Sequence, residues 1–213
     1  MRVAIAGGHG QLGQRLIRLL AERGDEVRSL DRKAEYGDEL RELGAEPVVC
    51  DLESASIRQA ASAVEGVGAV VFSAGAGPGS GMERKWTMDY AGAVKLMGGA
   101  MLVGARRYVI VSSIGADPRA EGDGFAVYLR AKGRADAELQ QSGLDYTVLR
   151  PTRLTDDEGS GLVQVGAGVD RGEIPRDDVA AVVAEVLRAP NTVGMTIEVT
   201  AGDAPVEQAV TTL

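Results

Sequence analysis

The chain has very few of the residues that bind transition metals or form disulfides. Among its 213 residues there is one cysteine, Cys50, and one histidine, His9. A single cysteine excludes an internal disulfide, and one histidine leaves no Cys/His cluster, so no metal site is predicted. A Ser-His-Asp hydrolase would have to use His9, which lies inside a glycine-rich turn and is better interpreted as a residue lining that turn.

Positive charge and long apolar runs are also scarce. The formal net charge is −8, and only four of the 23 basic residues are lysine. Such a chain lacks the basic face that a general nucleic-acid binder needs to displace counterions. No apolar run approaches the length of a membrane span, and the chain opens on a strand rather than on a signal peptide. These features predict a cytoplasmic protein that binds neither nucleic acid nor membrane.

Short β-branched runs alternate with longer helical patterns over most of the chain. Because strands separated by ten- to twenty-residue helices require crossover connections, the fold class expected is α/β, a doubly wound, mainly parallel Rossmann sheet with helices on both faces. Helices are predicted over 83–103 and from a cap at Ser54 to Ala63. A single domain, 1–213, is predicted, with a core over 1–150 and a small, dependent lid on the substrate side over 151–213.

A glycine-rich loop connects the first strand to the first helix, with the sequence Gly7, Gly8, His9, Gly10, Gln11, Leu12 and Gly13. In such a loop Gly7 permits the tight turn, Gly10 lets the backbone approach a pyrophosphate, and Gly13 allows helix and strand to pack closely. The anion then lies at the helix N-terminus, where free N–H groups and the dipole favour it. The loop predicts a dinucleotide site.

The ends of the next strands supply further candidates for this site. Asp31 is placed to accept from the adenosine ribose hydroxyls, which favours NAD, whereas Arg32 and Lys33 could bind a 2′-phosphate and favour NADP. A solvated turn is the alternative for these three. Asp51 either accepts from the adenine amino group or caps the following helix. Three small residues end strand four and let the chain pass close to the adenosine half of the ligand: Ser73, Ala74 and Gly75.

Tyr128 and Lys132 form the most specific chemical motif. At i and i+4 they share one helical face, and an ammonium beside a phenol favours the phenolate, which makes the tyrosine a usable acid/base. Ser113 follows the preceding strand, at the edge where open α/β sheets bind ligands, and could orient a substrate carbonyl. The alternative is Tyr128 packed on the sheet with Lys132 solvated.

Together these residues resemble the short-chain dehydrogenase/reductase superfamily, in particular its atypical NAD(P)H-binding branch, similar to NmrA-like and flavin/biliverdin-reductase-like proteins. The resemblance covers essentially the whole chain and rests on the glycine loop, the segments 51–52, 73–75, 111–113, 149–151 and 176–180, and the Tyr128–Lys132 pair. It implies that Tyr128 is the acid/base, that Lys132 binds the nicotinamide ribose and that Ser113 orients the substrate. It also adds cofactor contacts at Leu52, Ser112, Arg150, Pro151 and Thr152.

At two places the sequence departs from the pattern of these relatives, and both bear on which cofactor is bound. Many relatives have glycine where Thr152 stands, and relatives with arginine at the position of Arg32 usually have an apolar residue where this chain has Asp31. We expect NADP(H) to be slightly favoured over NAD(H), because a guanidinium–phosphate contact is stronger than a neutral hydrogen bond and an exposed Asp31 could rotate away.

The function predicted is an NAD(P)-dependent oxidoreductase that transfers hydride between the cofactor and a small carbonyl-type substrate. A non-catalytic NAD(P)-sensing protein, or an epimerase or dehydratase on the same machinery, remains open, since the fold and cofactor carry over better than the reaction. The expected partner is a small-molecule substrate, and a homo-oligomer or protein partner is compatible with the sequence.

Overall fold

The fold is built on one large sheet. The computed structural model describes residues 1–77 and 79–213, within which nine strands form the sheet and two more form a small separate pair. The strands are β1 (Arg2–Ala6), β2 (Glu26–Asp31), β3 (Ala45–Val49), β4 (Ala69–Phe72), β5 (Arg107–Val111), β6 (Asp145–Pro151), β7 (Arg153–Thr155), β8 (Leu162–Gly166), β9 (Glu173–Pro175), β10 (Met195–Ala201) and β11 (Ala204–Pro205).

Helices cover both faces of this sheet. They are α1 (Gln11–Glu22), α2 (Gly37–Glu42), α3 (Ile57–Ala63), α4 (Gly81–Arg84), α5 (Ala93–Val103), α6 (Phe125–Gln141), α7 (Arg176–Val186) and α8 (Val206–Thr211), with short 3₁₀ turns at Ala34–Tyr36 and Pro190–Thr192.

The strand order is β11-β8-β10-β6-β5-β4-β1-β2-β3. Strands β1 to β6 and β10 are parallel, whereas β8 runs antiparallel to β10. The run 3-2-1-4-5-6 is the order of a doubly wound dinucleotide-binding sheet, and the connections reverse direction between β1 and β4. The predicted fold class is confirmed, and a ligand is expected at the carboxyl ends of β1 and β4.

The central strands are apolar because both of their faces are buried. In β1, Val3 and Ile5 point into the cluster beneath α1 and α7, while Ala4 and Ala6 point into the cluster beneath α3, α5 and α6. All of β4 is buried as well. Because both faces are buried, the packing holds the neighbouring ends of β1 and β4 in place, where the ligand is expected.

The helix predicted over 83–103 is not regular. It begins as α4, passes through a π-helical segment over Lys85–Gly92, and continues as α5. A π-helical turn adds a residue to the helical repeat and redirects the side chains, often at functional sites. Here it buries Asp89 completely.

The cap of α3 also differs from the prediction. Ser56, not Ser54, is the N-cap, and with Gln59 it forms a reciprocal capping box. Ser54 instead donates to Asp51 through its hydroxyl. The helix starts later because residues 51–55 form their own turn, in which the amides of Ser54 and Ala55 donate to the carbonyl oxygen of Asp51.

The segment over 151–213, for which we predicted a lid, extends the sheet with β10, β8 and β11 and covers it with α7, which packs on α1. The β7–β9 pair lies outside the main sheet. Strands β7, β9 and β11 and helix α8 were missed because they have two to six residues each and show little periodicity. In the part of the chain described here, no helix combines the length and apolarity needed to cross a bilayer.

Candidate dinucleotide site

The glycine loop takes the conformation that its sequence predicts. Gly7 has φ +84°, and a Cβ there would lie 2.7 Å from the Ala74 Cα, so β4 passes directly against the turn. A Cβ on Gly13 would overlap the Gly7 carbonyl, and one on Gly8 would overlap the Ser29 side chain. These three glycines are required by close packing within the loop and against β2 and β4.

Gly10 is less confined than these three glycines. A Cβ there would meet only the Gly7 carbonyl oxygen, at 3.1 Å, and Gly10 is exposed. It is the N-cap of α1, provides no side-chain cap, and no acidic residue follows in the first turn. Among the described residues no side chain caps the first-turn amides of α1, as an anion-binding helix N-terminus requires.

The remaining loop residues have separate roles. Leu12 is buried in the core below the sheet, so only its backbone can face a ligand. Gln11 is exposed, and its carbonyl accepts from Arg15.

A cleft of about 250 Å³ opens from this loop toward the ends of β2 and β4. Of the predicted cofactor residues it is lined by Gly7, His9, Gly10, Asp31, Arg32, Leu52, Ser73, Ala74 and Gly75. The sequence did not single out six others, Leu30, Tyr36, Cys50, Ala76, Arg84 and Met88. Tyr36 ends the 3₁₀ turn after β2 and Arg84 ends α4. No local sequence pattern predicts that either residue approaches the cleft.

At the β2 end of the cleft, Asp31 is held in place. Its Oδ1 accepts from the His9 amide at 3.1 Å and its Oδ2 from the Ser29 hydroxyl at 2.5 Å. The expectation that Asp31 could rotate away is wrong, since rotation would break both hydrogen bonds. Each oxygen still has a lone pair with which it can accept from a ribose hydroxyl.

Arg32 and Lys33 separate in the structure. Arg32 is exposed on the cleft wall and forms no ion pair with any described residue. Lys33 does not line the cleft, because its ammonium lies 2.6 Å from Glu35 and that pairing raises the pKa of Lys33. Of the two, Arg32 is the cation available to a ligand.

His9 and Tyr36 form the adjoining wall. Their rings stack with centroids 3.5 Å apart and planes within 4°, and His9 Nε2 lies 3.1 Å from Glu39. His9 is therefore a lining residue whose ring is already held by Tyr36 and Glu39.

Asp51 does not line this cleft. Its two carboxylate oxygens accept from the Glu53 amide and the Ser54 hydroxyl, so it stabilises its own turn. The alternative that Asp51 caps the following helix is wrong, because Ser56 is the N-cap of α3. Next to it, burial raises the pKa of the Cys50 thiol, which is consistent with an unreactive lining residue. Ser73 donates to the Ala6 carbonyl and so joins the ends of β4 and β1.

Tyr128 and Lys132 lie near the carboxyl end of β5 and are not among the residues that line the cleft. Lys132 is 4% exposed, and its Nζ donates to the carbonyl of Val111, the last residue of β5, at 3.0 Å. The same nitrogen lies 5.9 Å from the Tyr128 ring centroid. Ser113 follows Val111 by two residues, and its hydroxyl donates to the Ile114 carbonyl. The predicted solvation of Lys132, the alternative for this pair, is wrong.

The charge of Lys132 is stabilised by buried carboxylates. Burial lowers the pKa of Lys132, but Asp89, then Tyr128 and Asp136, more than compensate, and the net direction is upward. The Asp89 Oδ1 lies 3.4 Å from the Lys132 ammonium. Such an ammonium is charged whenever the chain is folded near neutral pH.

Three of the predicted cofactor residues have side chains that hydrogen-bond within the protein. The Ser112 hydroxyl and the Arg150 guanidinium both donate to Asp136 Oδ2, at 2.9 Å and at 2.8–3.0 Å. The Thr152 hydroxyl donates to Thr200. Each of these side chains hydrogen-bonds a partner that only the tertiary fold brings near, and their contact with a cofactor stays a prediction. Pro151 is buried at the end of β6.

Known proteins share this architecture over the full chain. A family model described as NAD(P)H-binding matches residues 7–190. The chain is 36% identical over 211 residues to a protein named an uncharacterized sugar epimerase, YhfK, from Bacillus subtilis (strain 168), with 98% of each chain covered.

Two solved structures are also similar. One, a putative NAD-dependent epimerase/dehydratase from Bacillus halodurans, is 38% identical with a TM-score of 0.92, and all of both chains is covered. The other, the oxidoreductase ylbE from Lactococcus lactis, is 26% identical with a TM-score of 0.87, covering 100% of this chain and 96% of that one. With its glycine loop, its open helix N-terminus and its cleft at the β1–β4 switch point, the chain belongs to this NAD(P)H-binding, Rossmann-fold family.

Proposed function

We propose that the protein is an oxidoreductase that transfers hydride between NAD(P)H and a small carbonyl-type substrate. The observation that carries this proposal is the buried Lys132 ammonium, which lies 5.9 Å from the Tyr128 ring at the carboxyl edge of β5. Ligands of open α/β sheets bind at that edge, and the glycine-loop cleft begins at the same edge.

The bound nicotinamide would supply the hydride to the carbonyl carbon. Tyr128 would give its phenolic proton to the carbonyl oxygen, so that the alcohol forms without a free alkoxide. The positive charge of Lys132 stabilises the phenolate that remains. Ser113, two residues beyond the carbonyl that holds Lys132, would orient the substrate oxygen.

We further propose that NADP(H) is modestly preferred to NAD(H). Arg32 supports this preference, since it is exposed on the cleft wall and free of ion pairs among the described residues. Asp31 opposes a 2′-phosphate, but part of its charge is already satisfied by the donors at His9 and Ser29. A guanidinium can bind the phosphate with two charge-assisted hydrogen bonds.

The test is turnover of NADPH and NADH with a panel of carbonyl compounds and quinones. Tyr128→Phe should lower the rate about 10²–10⁴-fold, the usual contribution of a general acid, with cofactor affinity unchanged. Tyr146→Phe is the matched control, because Tyr146 lies at the start of β6, at the opposite edge of the sheet. Unchanged turnover in Tyr128→Phe would remove this residue from the mechanism.

An epimerase or dehydratase is the second candidate function, favoured by the names of the Bacillus relatives. Such an enzyme returns the hydride within one catalytic cycle, so sugar-type substrates would be converted without net oxidation of cofactor. Tight cofactor binding with neither type of turnover would instead favour a sensor.

A further inference from the structure

Asp89 is a buried carboxylate, and only one of its two oxygens accepts a hydrogen bond from a described residue. It is 0% exposed and lies on the π-helical segment, where its Oδ2 accepts from the Ala76 amide at 3.1 Å. Its Oδ1 has no hydrogen-bond partner among the described residues and faces the Lys132 ammonium at 3.4 Å. A buried charge of this kind is costly unless an opposite charge neutralises it.

A second buried carboxylate, Asp136, lies one helical turn beyond Lys132. Its Oδ1 also has no hydrogen-bond partner among the described residues, but its Oδ2 is already paired. Its Oδ2 accepts from both Nε and Nη2 of Arg150 and from Ser112. Among the described residues no ion pair joins Asp136 to Lys132. The two carboxylates and two cations therefore form two separate ion pairs, Asp136 with Arg150 and Asp89 with Lys132.

The same Asp89 side chain also holds the cleft. Ala76, whose amide it binds, and Gly75 both line the cleft, and a Cβ on Gly75 would lie 3.2 Å from Asp89 Oδ1. One carboxylate thus contacts the loop after β4 through one oxygen and Lys132 through the other.

We propose that Asp89 is the positioning residue of the site, which fixes Lys132 beside Tyr128 and ties that pair to the Gly75–Ala76 wall of the cofactor cleft. This inference rests on the proposed function for its catalytic meaning, although the pairing itself is independent of turnover. The groups that face Lys132 are Asp89 from the π-helical segment, Tyr128 and Asp136 from α6, and the uncharged Phe72 ring and Val111 carbonyl from the sheet. A second ammonium, Lys85, lies 5.6 Å from the Tyr128 ring centroid.

Lysine NMR tests the pairing directly, because the chain has four lysines. With ¹³Cε-labelled lysine, and Lys132→Met to assign the signal, the wild-type Lys132 should titrate above the ordinary lysine value of about 10.4 in spite of its burial. In Asp89→Asn its titration should fall by about one to three pH units, the usual effect of an opposite charge at this range. Asp136→Asn, the matched control, should move it less.

The pairing predicts a functional difference as well. An asparagine at 89 can still accept from the Ala76 amide, so cofactor affinity at neutral pH should change by less than about threefold. The alkaline limb of the kcat profile should move to lower pH together with the Lys132 titration.

Three results would overturn the proposal. These are a wild-type Lys132 that titrates below the ordinary value, an Asp89→Asn variant whose Lys132 titrates as in the wild type, and a larger shift in Asp136→Asn than in Asp89→Asn. If the variants do not fold, a wild-type Lys132 that titrates below the ordinary value still overturns the proposal. If the wild type turns over no substrate but the lysine results hold, the proposed function fails while the pairing stands.

Discussion

At the scale of single residues, Asp31 and Arg32 place opposite charges side by side at the ribose end of the cleft. The carboxylate is fixed by two hydrogen bonds, whereas the guanidinium is exposed. A 2′-phosphate brings nearly two negative charges to this point, so its binding depends on whether Arg32 can offset the fixed carboxylate.

Arg32→Ala should therefore weaken NADP binding and leave NAD binding unchanged. The loss of a charged contact of about 1.5–3 kcal/mol corresponds to roughly ten- to a hundredfold in Kd. Calorimetric titration of both cofactors into the wild type and the variant measures this. Lys33→Ala is the matched control and should change neither Kd, because Lys33 is paired with Glu35. Equal losses for both cofactors in Arg32→Ala would contradict the proposed preference.

At the scale of elements, the glycine loop separates packing from binding. Gly13 is enclosed by the Gly7 and Gly8 backbone, while Gly10 has an ordinary φ of −67° and a Cβ there would meet one atom, the Gly7 carbonyl oxygen at 3.1 Å. The difference assigns Gly13 to the contact of α1 with the turn and Gly10 to the approach of a ligand.

Gly10→Val should fold and lose dinucleotide binding by more than about a hundredfold, or roughly 2.7 kcal/mol, because a branched side chain blocks the pyrophosphate position at the end of α1. Circular dichroism tests whether the variant folds, and calorimetry measures its affinity for the dinucleotide. Gly13→Ala is the contrasting variant and should lose stability. A folded Gly10→Val variant with near-normal affinity would place the phosphates elsewhere.

The sequence predicts best those elements whose hydrophobic or glycine pattern lies within a few neighbouring residues. The apolar runs of β1 and β4 and the glycine loop between β1 and α1 follow from neighbouring residues. The π-helical segment has no such signal in the sequence, and in the structure it packs against α6.

The site shows the same division. The loop and the ends of β2 and β4 could be predicted, because backbone shape alone places them. Ser112 and Arg150 could not, since their partner Asp136 lies on α6, 24 and 14 residues away. Asp89 escaped notice because its partners, Ala76 and Lys132, are joined only by the fold.

At the scale of the whole molecule, Asp25, which directly precedes β2, joins distant parts of the chain. Its buried carboxylate accepts from Arg23 at the end of α1, from Arg188 after α7 and from the amino group of Met1. Burial opposes its ionisation, but hydrogen bonds from the Met1 ammonium, Arg23 and Arg188 outweigh burial and lower the pKa of Asp25 to about 2.

This shift has a definite sign in the pH dependence of stability. The folded value lies below the ordinary carboxyl value of about 4, so the unfolded chain binds the proton first as the pH falls. The stabilisation from Asp25 is complete above about pH 4 and is lost as the pH falls toward 2.

Asp25→Asn should thus be less stable than the wild type at neutral pH by about 1.5–3 kcal/mol, the range for hydrogen bonds to a charged group. The difference should shrink between about pH 4 and pH 2, where the wild type loses the same charge. Urea unfolding at a series of pH values gives the two free energies of unfolding. Asp38→Asn is the matched control, since Asp38 is 98% exposed in a surface pair with Arg41 and should change stability little at any pH. A difference between Asp25→Asn and the wild type that stays constant down to pH 2 would mean that the Asp25 charge does not hold these segments together.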